Sequence, residues 1–150
     1  MINKAGRPTP PSLLAQIGSL YHRIYKECDK LFREHDFPLQ MDQIPVLMSL
    51  YYSGGATQKD IVTSLGRDKA SVNRTISFLL KNGLVKVIQD TTDKRKTQVE
   101  LTPQGESLAE QADVMLAKFD VVLSADLTDN EKGEFNKTML KLIETVTPCK

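Results

Sequence analysis

Residues 82–105 read NGLVKVIQDTTDKRKTQVELTPQG, and the order of signals in that stretch decides the fold. Asn82-Gly83 is a helix stop. Leu84-Val85-Lys86-Val87-Ile88 is short and rich in β-branched residues, as a strand is. Residues 89–96 are polar and turn-forming, and Thr97-Gln98-Val99-Glu100-Leu101 alternates like a second strand. Thr102 then caps a new helix with Pro103 at its first position, where a missing N–H costs nothing. Strand, charged turn and strand, entered from one helix and left by another, predict a β-hairpin wing.

Upstream of the hairpin lie two short helices with their own start signals. Thr57 with Asp60 three residues on resembles a capping box, and Ile61, Val62 and Leu65 supply a buried face until Gly66 stops the helix. Asp68 caps the next helix, which is expected to turn Val72, Ile76, Leu79 and Leu80 inward. Two helices joined by a short glycine-containing turn are a helix-turn-helix. An earlier helix, about residues 41–52, carries Ile44, Leu47, Met48 and Tyr51, with Pro45 distorting its first turn and Gly54-Gly55 ending it. The winged helix-turn-helix therefore spans about residues 41–102.

Long apolar stripes flank it. Leu13, Ile17, Leu20, Tyr21, Ile24, Cys28, Leu31 and Phe32 follow helical spacing over about residues 12–36, ending before Pro38. Behind the wing, about residues 103–146 carry two more helices. The first has the stripe Leu108, Ala112, Met115, Leu116, Phe119, Val122 and Leu123. The second opens on a capping box of Thr128 and Glu131 and carries Phe135, Met139, Leu142, Ile143 and Val146. Residues 1–11, with Pro8, Pro10 and Pro11, read as a flexible arm, and residues 12–150 as a single domain. The fold class is mainly α with a small β-hairpin wing.

Composition narrows the function. With 40% apolar and 26% charged residues the 150-residue chain has ordinary globular composition. No apolar run approaches the roughly 20 residues of a membrane span, and residues 1–11 lack the apolar core of a signal peptide. Cys28 and Cys149 form neither a disulfide framework nor a zinc pattern, so a reducing, cytoplasmic compartment is expected. No carboxylate pair, nucleophile with base, or phosphate loop is visible, so no enzyme, cofactor or metal site is expected. Net charge is +1, but residues 66–96 alone carry net +5 and residues 97–150 net −5. That window is an electrostatic footprint for a polyanion, with chance clustering on solvated faces as the competing reading.

A helical wheel from Val72 places Arg74 at about 200°, Lys81 at about 180° and Ser71 at about 260°, opposite the apolar face, with Asn73 on its flank. In helix-turn-helix proteins the start of the second helix enters the major groove, where Arg reads guanine and Ser or Asn serves bases or phosphates. Thr57, Gln58 and Lys69 stand at the starts of the two helices. Lys94, Arg95 and Lys96 at the wing tip suit phosphates or the minor groove, and Asp93 is expected to orient Arg95. These ten residues are the candidate DNA contacts. A plain solvated face, or a winged helix used for protein–protein interaction without DNA, is the alternative.

At these residues the chain resembles the MarR (multiple antibiotic resistance regulator) family of winged-helix transcription factors. The resemblance runs through Thr57-Gln58-Lys59-Asp60-Ile61-Val62, Val72-Asn73-Arg74, Asn82-Gly83-Leu84-Val85, Asp93-Lys94-Arg95 and Leu101-Thr102-Pro103-Gln104-Gly105. The chain departs from the pattern at Asn73, where Thr is frequent, and at Val87-Ile88, where a cation is frequent. The resemblance implies a two-fold homodimer through the terminal helices, with Leu13, Ile17, Leu20, Phe119, Leu142, Ile143 and Val146 at the interface. It implies a ligand-responsive repressor on a pseudo-palindromic operator in double-stranded DNA. It further implies a small phenolic or anionic effector, for which Tyr21 and Tyr25 are weak lining candidates. Cys28, in register with Ile24 and Phe32, reads as an inert core thiol rather than a redox sensor.

Overall fold

The computed structural model describes residues 4–6 and 12–147; most of the expected arm and Cys149 lie outside the described residues. It contains α1 (Ser12–Glu34), α2 (Ile44–Ser53), α3 (Gln58–Leu65), α4 (Lys69–Lys81), β1 (Val85–Gln89), β2 (Thr97–Leu101), α5 (Pro103–Leu123) and α6 (Asp129–Val146). The mainly helical fold with one β-hairpin wing is the expected one. The chain forms two compact units, residues 1–42 and 43–150.

In the first unit, α1 buries Cys28 and Phe32, and Leu39 beyond the helix is buried too. Helix α1 ends before Pro38, as expected, and it ends on a cap. Asp36 adopts φ +50, and the N–H groups of Asp36 and Phe37 donate to the carbonyls of Arg33 (3.0 Å) and Phe32 (2.9 Å). This is the paired bonding of a Schellman cap, with Asp in the left-handed position that Gly usually takes. It folds Phe37 back onto Phe32, ring centroids 4.9 Å apart.

In the second unit the fully buried side chains are Val46, Leu47, Leu50, Ile61, Val72 and Leu79. Helix α2 is apolar on every side and buries five of its ten residues, as a helix without a polar face must. It starts at Ile44 rather than near 41, which places Pro45 in the first turn, where its absent N–H is no loss. Helix α4 corrects the expected face: Leu80 is 40% exposed, and Thr75 is buried instead. On the wheel Thr75 lies about 60° to one side of Val72 and Leu80 about 80° to the other, so the core is centred toward Thr75. The Thr75 hydroxyl donates to the Ser71 carbonyl (3.2 Å), which makes its burial tolerable.

Helix α4 ends in a second Schellman cap. Gly83 (φ +69) donates its N–H to Leu80 O (3.1 Å), and Leu84 donates to Leu79 O (2.9 Å). Leu84 is thereby used by the cap, and β1 begins at Val85, one residue later than its sequence suggests. The hairpin is antiparallel with Val85 opposite Leu101 and Gln89 opposite Thr97. Ala56 adds a bridge on the far side of β2, exchanging bonds of 3.0 and 2.8 Å with Val99, so the start of α3 is tied to the wing.

The turn into α5 closes the unit. The Thr102 N–H donates to Leu84 O (3.0 Å) and its hydroxyl donates to Gly83 O (2.7 Å) while accepting the Gly105 N–H (3.1 Å). Gly105 is buried, and a Cβ there would stand 1.9 Å from the Leu84 carbonyl oxygen. Gly105→Ala is therefore expected to destabilise the fold by about 2–3 kcal/mol, since backbone has to move. Gly133→Ala, inside α6 with nothing within 4 Å, is expected to stabilise by about 0.5–1 kcal/mol. Urea unfolding of both variants checks the contrast; equal effects would contradict the close approach.

Candidate nucleic-acid interface

The start of α3 is locked by its own sequence. The Asp60 N–H donates to the Thr57 hydroxyl (3.1 Å) and the Thr57 N–H donates to the Asp60 carboxylate (3.1 Å), a complete capping box. At α6 the box expected of Thr128 and Glu131 forms only in part. Thr128 accepts the Glu131 N–H (3.1 Å), but its hydroxyl also donates to the Glu131 carboxylate (3.2 Å). Asp68 caps α4 by accepting the Ser71 N–H (2.8 Å).

Helix α4 presents Lys69, Asn73, Arg74 and Lys81 as exposed side chains. Ser71 is half-buried, and its hydroxyl accepts a hydrogen bond from the Arg67 guanidinium. That contact escaped the sequence reading, although Arg67 and Ser71 stand four apart across the Asp68 cap. It brings a further cation to the start of α4.

At the wing tip Lys94, Arg95 and Lys96 are exposed. Asp93 does act on Arg95, through the main chain: its carboxylate accepts the Arg95 backbone N–H (3.0 Å). The sequence reading missed Asp90, whose carboxylate accepts the Thr92 N–H (2.8 Å), the Thr92 hydroxyl (2.7 Å) and the Asp93 N–H (3.3 Å). An Asp two residues before a Thr was the available signal, because short acidic side chains bond their own backbone in turns.

The bridge between Ala56 and Val99 brings α3 beside the wing, and a cleft of about 860 Å³ opens between them. Thr57, Gln58, Thr63 and Ser64 line one wall, and Arg95 and Lys96 the other. The Gln58 Nε2 is buried with no hydrogen-bond partner among the described residues. Four of the expected contacts, Thr57, Gln58, Arg95 and Lys96, thus meet in one cleft, while those of α4 stand outside its lining.

Two carboxylates in this cleft are held below the usual range. For Asp60 the causes are hydrogen bonds from the Thr57 side chain and N–H, which outweigh desolvation, with the Lys59 and Lys96 charges adding less. For Asp90 they are the Thr92 side chain, the Thr92 and Asp93 N–H groups, and Lys96, again against desolvation.

The terminal helices keep their apolar residues exposed. In the first unit Leu13 is 53% and Leu20 43% exposed. In the second, Ile143 is 53% and Val146 79% exposed, while Phe119 and Leu142 are half-buried, and α6 buries no residue. Tyr21 is exposed, its ring centroid 6.2 Å from that of Tyr25. Tyr25 lines a cleft of about 650 Å³ with Phe32, Arg33, Phe37 and Met41, the α1 end of the first unit. Burial, aided by Glu27, pushes the Cys28 thiol up, which suits an unreactive core position. None of the helices among the described residues is long and apolar enough to cross a membrane.

Helix-turn-helix and hairpin wing define a winged-helix fold, and comparison with known proteins narrows the class. The MarR family model matches residues 39–97. The HTH-type transcriptional regulator YwoH of Bacillus subtilis (strain 168) is 35% identical over 124 residues, 83% of this chain and 88% of YwoH. A MarR-family regulator from Listeria monocytogenes, solved with a 26mer DNA, shares the fold at TM-score 0.80 and 22% identity, covering 89% of this chain and 88% of its own. Bordetella bronchiseptica BpsR, whose DNA binding is regulated by 6-hydroxynicotinic acid, aligns at TM-score 0.67 and 28% identity over 85% of this chain and 98% of its own. The chain belongs to the MarR family of transcriptional regulators.

The two carboxylates yield a pH prediction. Groups whose folded pKa is depressed contribute stability above their unfolded value, and that contribution is lost as pH falls through the folded value. The caps at Asp60 and Asp90 are therefore expected to hold at pH 5 and above and to loosen below about 3.9, the unperturbed Asp value. Carboxyl carbon titration by NMR is expected to give both residues midpoints below that value. Midpoints at or above it would contradict the hydrogen bonding described.

Proposed function

We propose that this regulator is a homodimeric, sequence-specific DNA-binding repressor whose α4 enters the major groove while its wing meets the backbone or minor groove. The observation that carries the reading is the cleft that sets Thr57 and Gln58 of the α3 start opposite Arg95 and Lys96 of the wing. An unpartnered amide donor, hydroxyls and three cations, Lys59, Arg95 and Lys96, line this cleft and suit the oxygens of a phosphate backbone, while its two carboxylates, Asp60 and Asp90, are engaged by hydrogen bonds from the chain itself. In the same unit Lys69, Asn73 and Arg74 stand exposed on the first half of α4, where a recognition helix meets base edges.

Dimerisation is supported by the exposed apolar residues of α1 and α6, since a helix that buries nothing in its own chain has a face to cover. Leu13, Ile17, Leu20, Phe119, Leu142, Ile143 and Val146 form the proposed interface. Two-fold symmetry then requires a pseudo-palindromic operator with half-sites about one helical turn apart. Occupancy of that site is the means of repression. A small phenolic or anionic effector, of the kind that BpsR answers to, is the proposed signal, with Tyr21 and Tyr25 among its contacts. The location is cytoplasmic, where the operator is.

Selection of bound fragments from the host genome supplies the operator. Arg74→Ala is then expected to cost roughly 1–3 kcal/mol of discrimination, bringing specific and scrambled affinities together. Arg95→Ala is expected to weaken both alike and to lower the salt slope by about one unit per protomer, about two for the dimer. A competition titration at fixed salt reads both; an unchanged specific-to-scrambled ratio in Arg74→Ala would overturn base reading by α4. In sedimentation the parent is expected as a dimer and Ile143→Asp as a monomer or unfolded chain. A folded monomeric parent would overturn the dimer.

A further inference from the structure

The wing tip, residues 90–96, carries no apolar side chain, and its polar groups are bonded among themselves. The Asp90 N–H donates to Lys96 O (2.9 Å) and the Lys96 N–H to Asp93 O (3.0 Å). The Gln89 amide donates to Lys94 O (2.7 Å). Three further donors, the Thr92 N–H, the Thr92 hydroxyl and the Asp93 N–H, converge on one oxygen of Asp90. Asp93, held in this way, accepts the Arg95 N–H in turn (3.0 Å). The chain of bonds runs from Asp90 through Asp93 to Arg95 and Lys96, the cations that the wing contributes to the cleft.

We propose that Asp90 is the positioning residue of the DNA-binding wing, its carboxylate fixing the tip so that Arg95 and Lys96 are presented before DNA arrives. The inference rests on the DNA-binding reading of the wing. Its physical content is preorganisation: a loop already ordered loses less entropy on binding than one that has to be ordered by its ligand. The low value of the Asp90 carboxyl, set by the same Thr92 and Asp93 donors, agrees with an acceptor engaged at neutral pH.

Charge and positioning predict opposite signs, which makes the proposal testable. Removing an acidic side chain from a cationic loop should by charge alone tighten binding to a polyanion. Positioning predicts that Asp90→Ala weakens binding to a short mixed-sequence duplex by about tenfold, with the salt slope kept because no cation is lost. Asp90→Asn, which removes the charge and keeps the acceptor oxygen, is expected to bind at least as well as the parent. Thr92→Val, which deletes one of the three donors, is expected to fall between and serves if Asp90→Ala folds poorly. In the DNA-free dimer, Asp90→Ala should accelerate amide hydrogen exchange at Asp90 and Lys96 while leaving α3 and α4 unchanged. Unaltered exchange, or Asp90→Ala binding as tightly as Asp90→Asn, overturns the proposal. Arg95→Ala at full affinity would instead overturn the wing's part in DNA binding, and the exchange measurement would still decide whether Asp90 orders the tip.

Discussion

The close approach of α5 to the carbonyl of Leu84 is the constraint on which the second unit depends. Gly105 alone makes it possible, because any side chain would drive a Cβ into that oxygen. Thr102 fixes the approach from the other side, bonding both Gly83 and Leu84 while capping α5. The last turn of α4, the first residue of the hairpin and the first turn of α5 are therefore one joint. Through it the direction of α4 sets the departure of β1, and the return of β2 sets the start of α5. Local caps would make each element separately; the joint makes them a single reading head.

A second joint lies across the wing. Ala56 pairs with Val99, and Gly55 just before it has φ +136 with a would-be Cβ 2.8 Å from the Glu100 side chain. A larger residue at 55 would be strained at that backbone angle and would have to displace the Glu100 side chain. The Ala56 bridge that follows it sets the capped end of α3 beside the wing. Tyr52 adds a tie within the unit: its hydroxyl donates to Asp113 of α5, and that bond pushes the phenol up. The α2 core, the wing and α5 are thus linked by contacts too distant in sequence for any local rule to foresee.

What was legible in the sequence was what local chemistry dictates. Thr57 with Asp60, Asp68, Thr102 with Pro103, and Gly54, Gly66 and Gly83 each marked a helix end that the structure has, because caps and left-handed stops are satisfied within a few residues. Errors arose where a neighbour decides. Leu80 was expected inside because it is apolar, but the core lies on the Thr75 side of α4, and a hydroxyl that bonds its own helix is buried there. Helix α1 does end before Pro38, as expected, but on a cap at Asp36 that no glycine announces. At the candidate interface, residue types and charge nominate Arg74 and the wing cations, but they do not reveal the Arg67 bond to Ser71 or the convergence of donors on Asp90. A single bridge such as Ala56 to Val99 has no periodicity, so the cleft itself could not be read from the chain.

The central claim is that one unit sets α4 on base edges in the major groove and the wing tip beside them, on the backbone or in the minor groove. Directed cleavage measures this in one experiment. An iron chelate is attached to a single introduced cysteine at an exposed position beside the candidate contacts, Ala70→Cys at the start of α4 in one protein and Thr91→Cys at the wing tip in another, each with the buried Cys28 replaced by Ala and Cys149 by Ser, and bound to the selected operator. Cleavage from position 70 is expected within each half-site with the pattern of a major-groove reagent. Cleavage from position 91 is expected at the flanks, offset between strands as a minor-groove reagent cuts. Coincident cleavage from the two positions, or cutting from neither, would contradict the account.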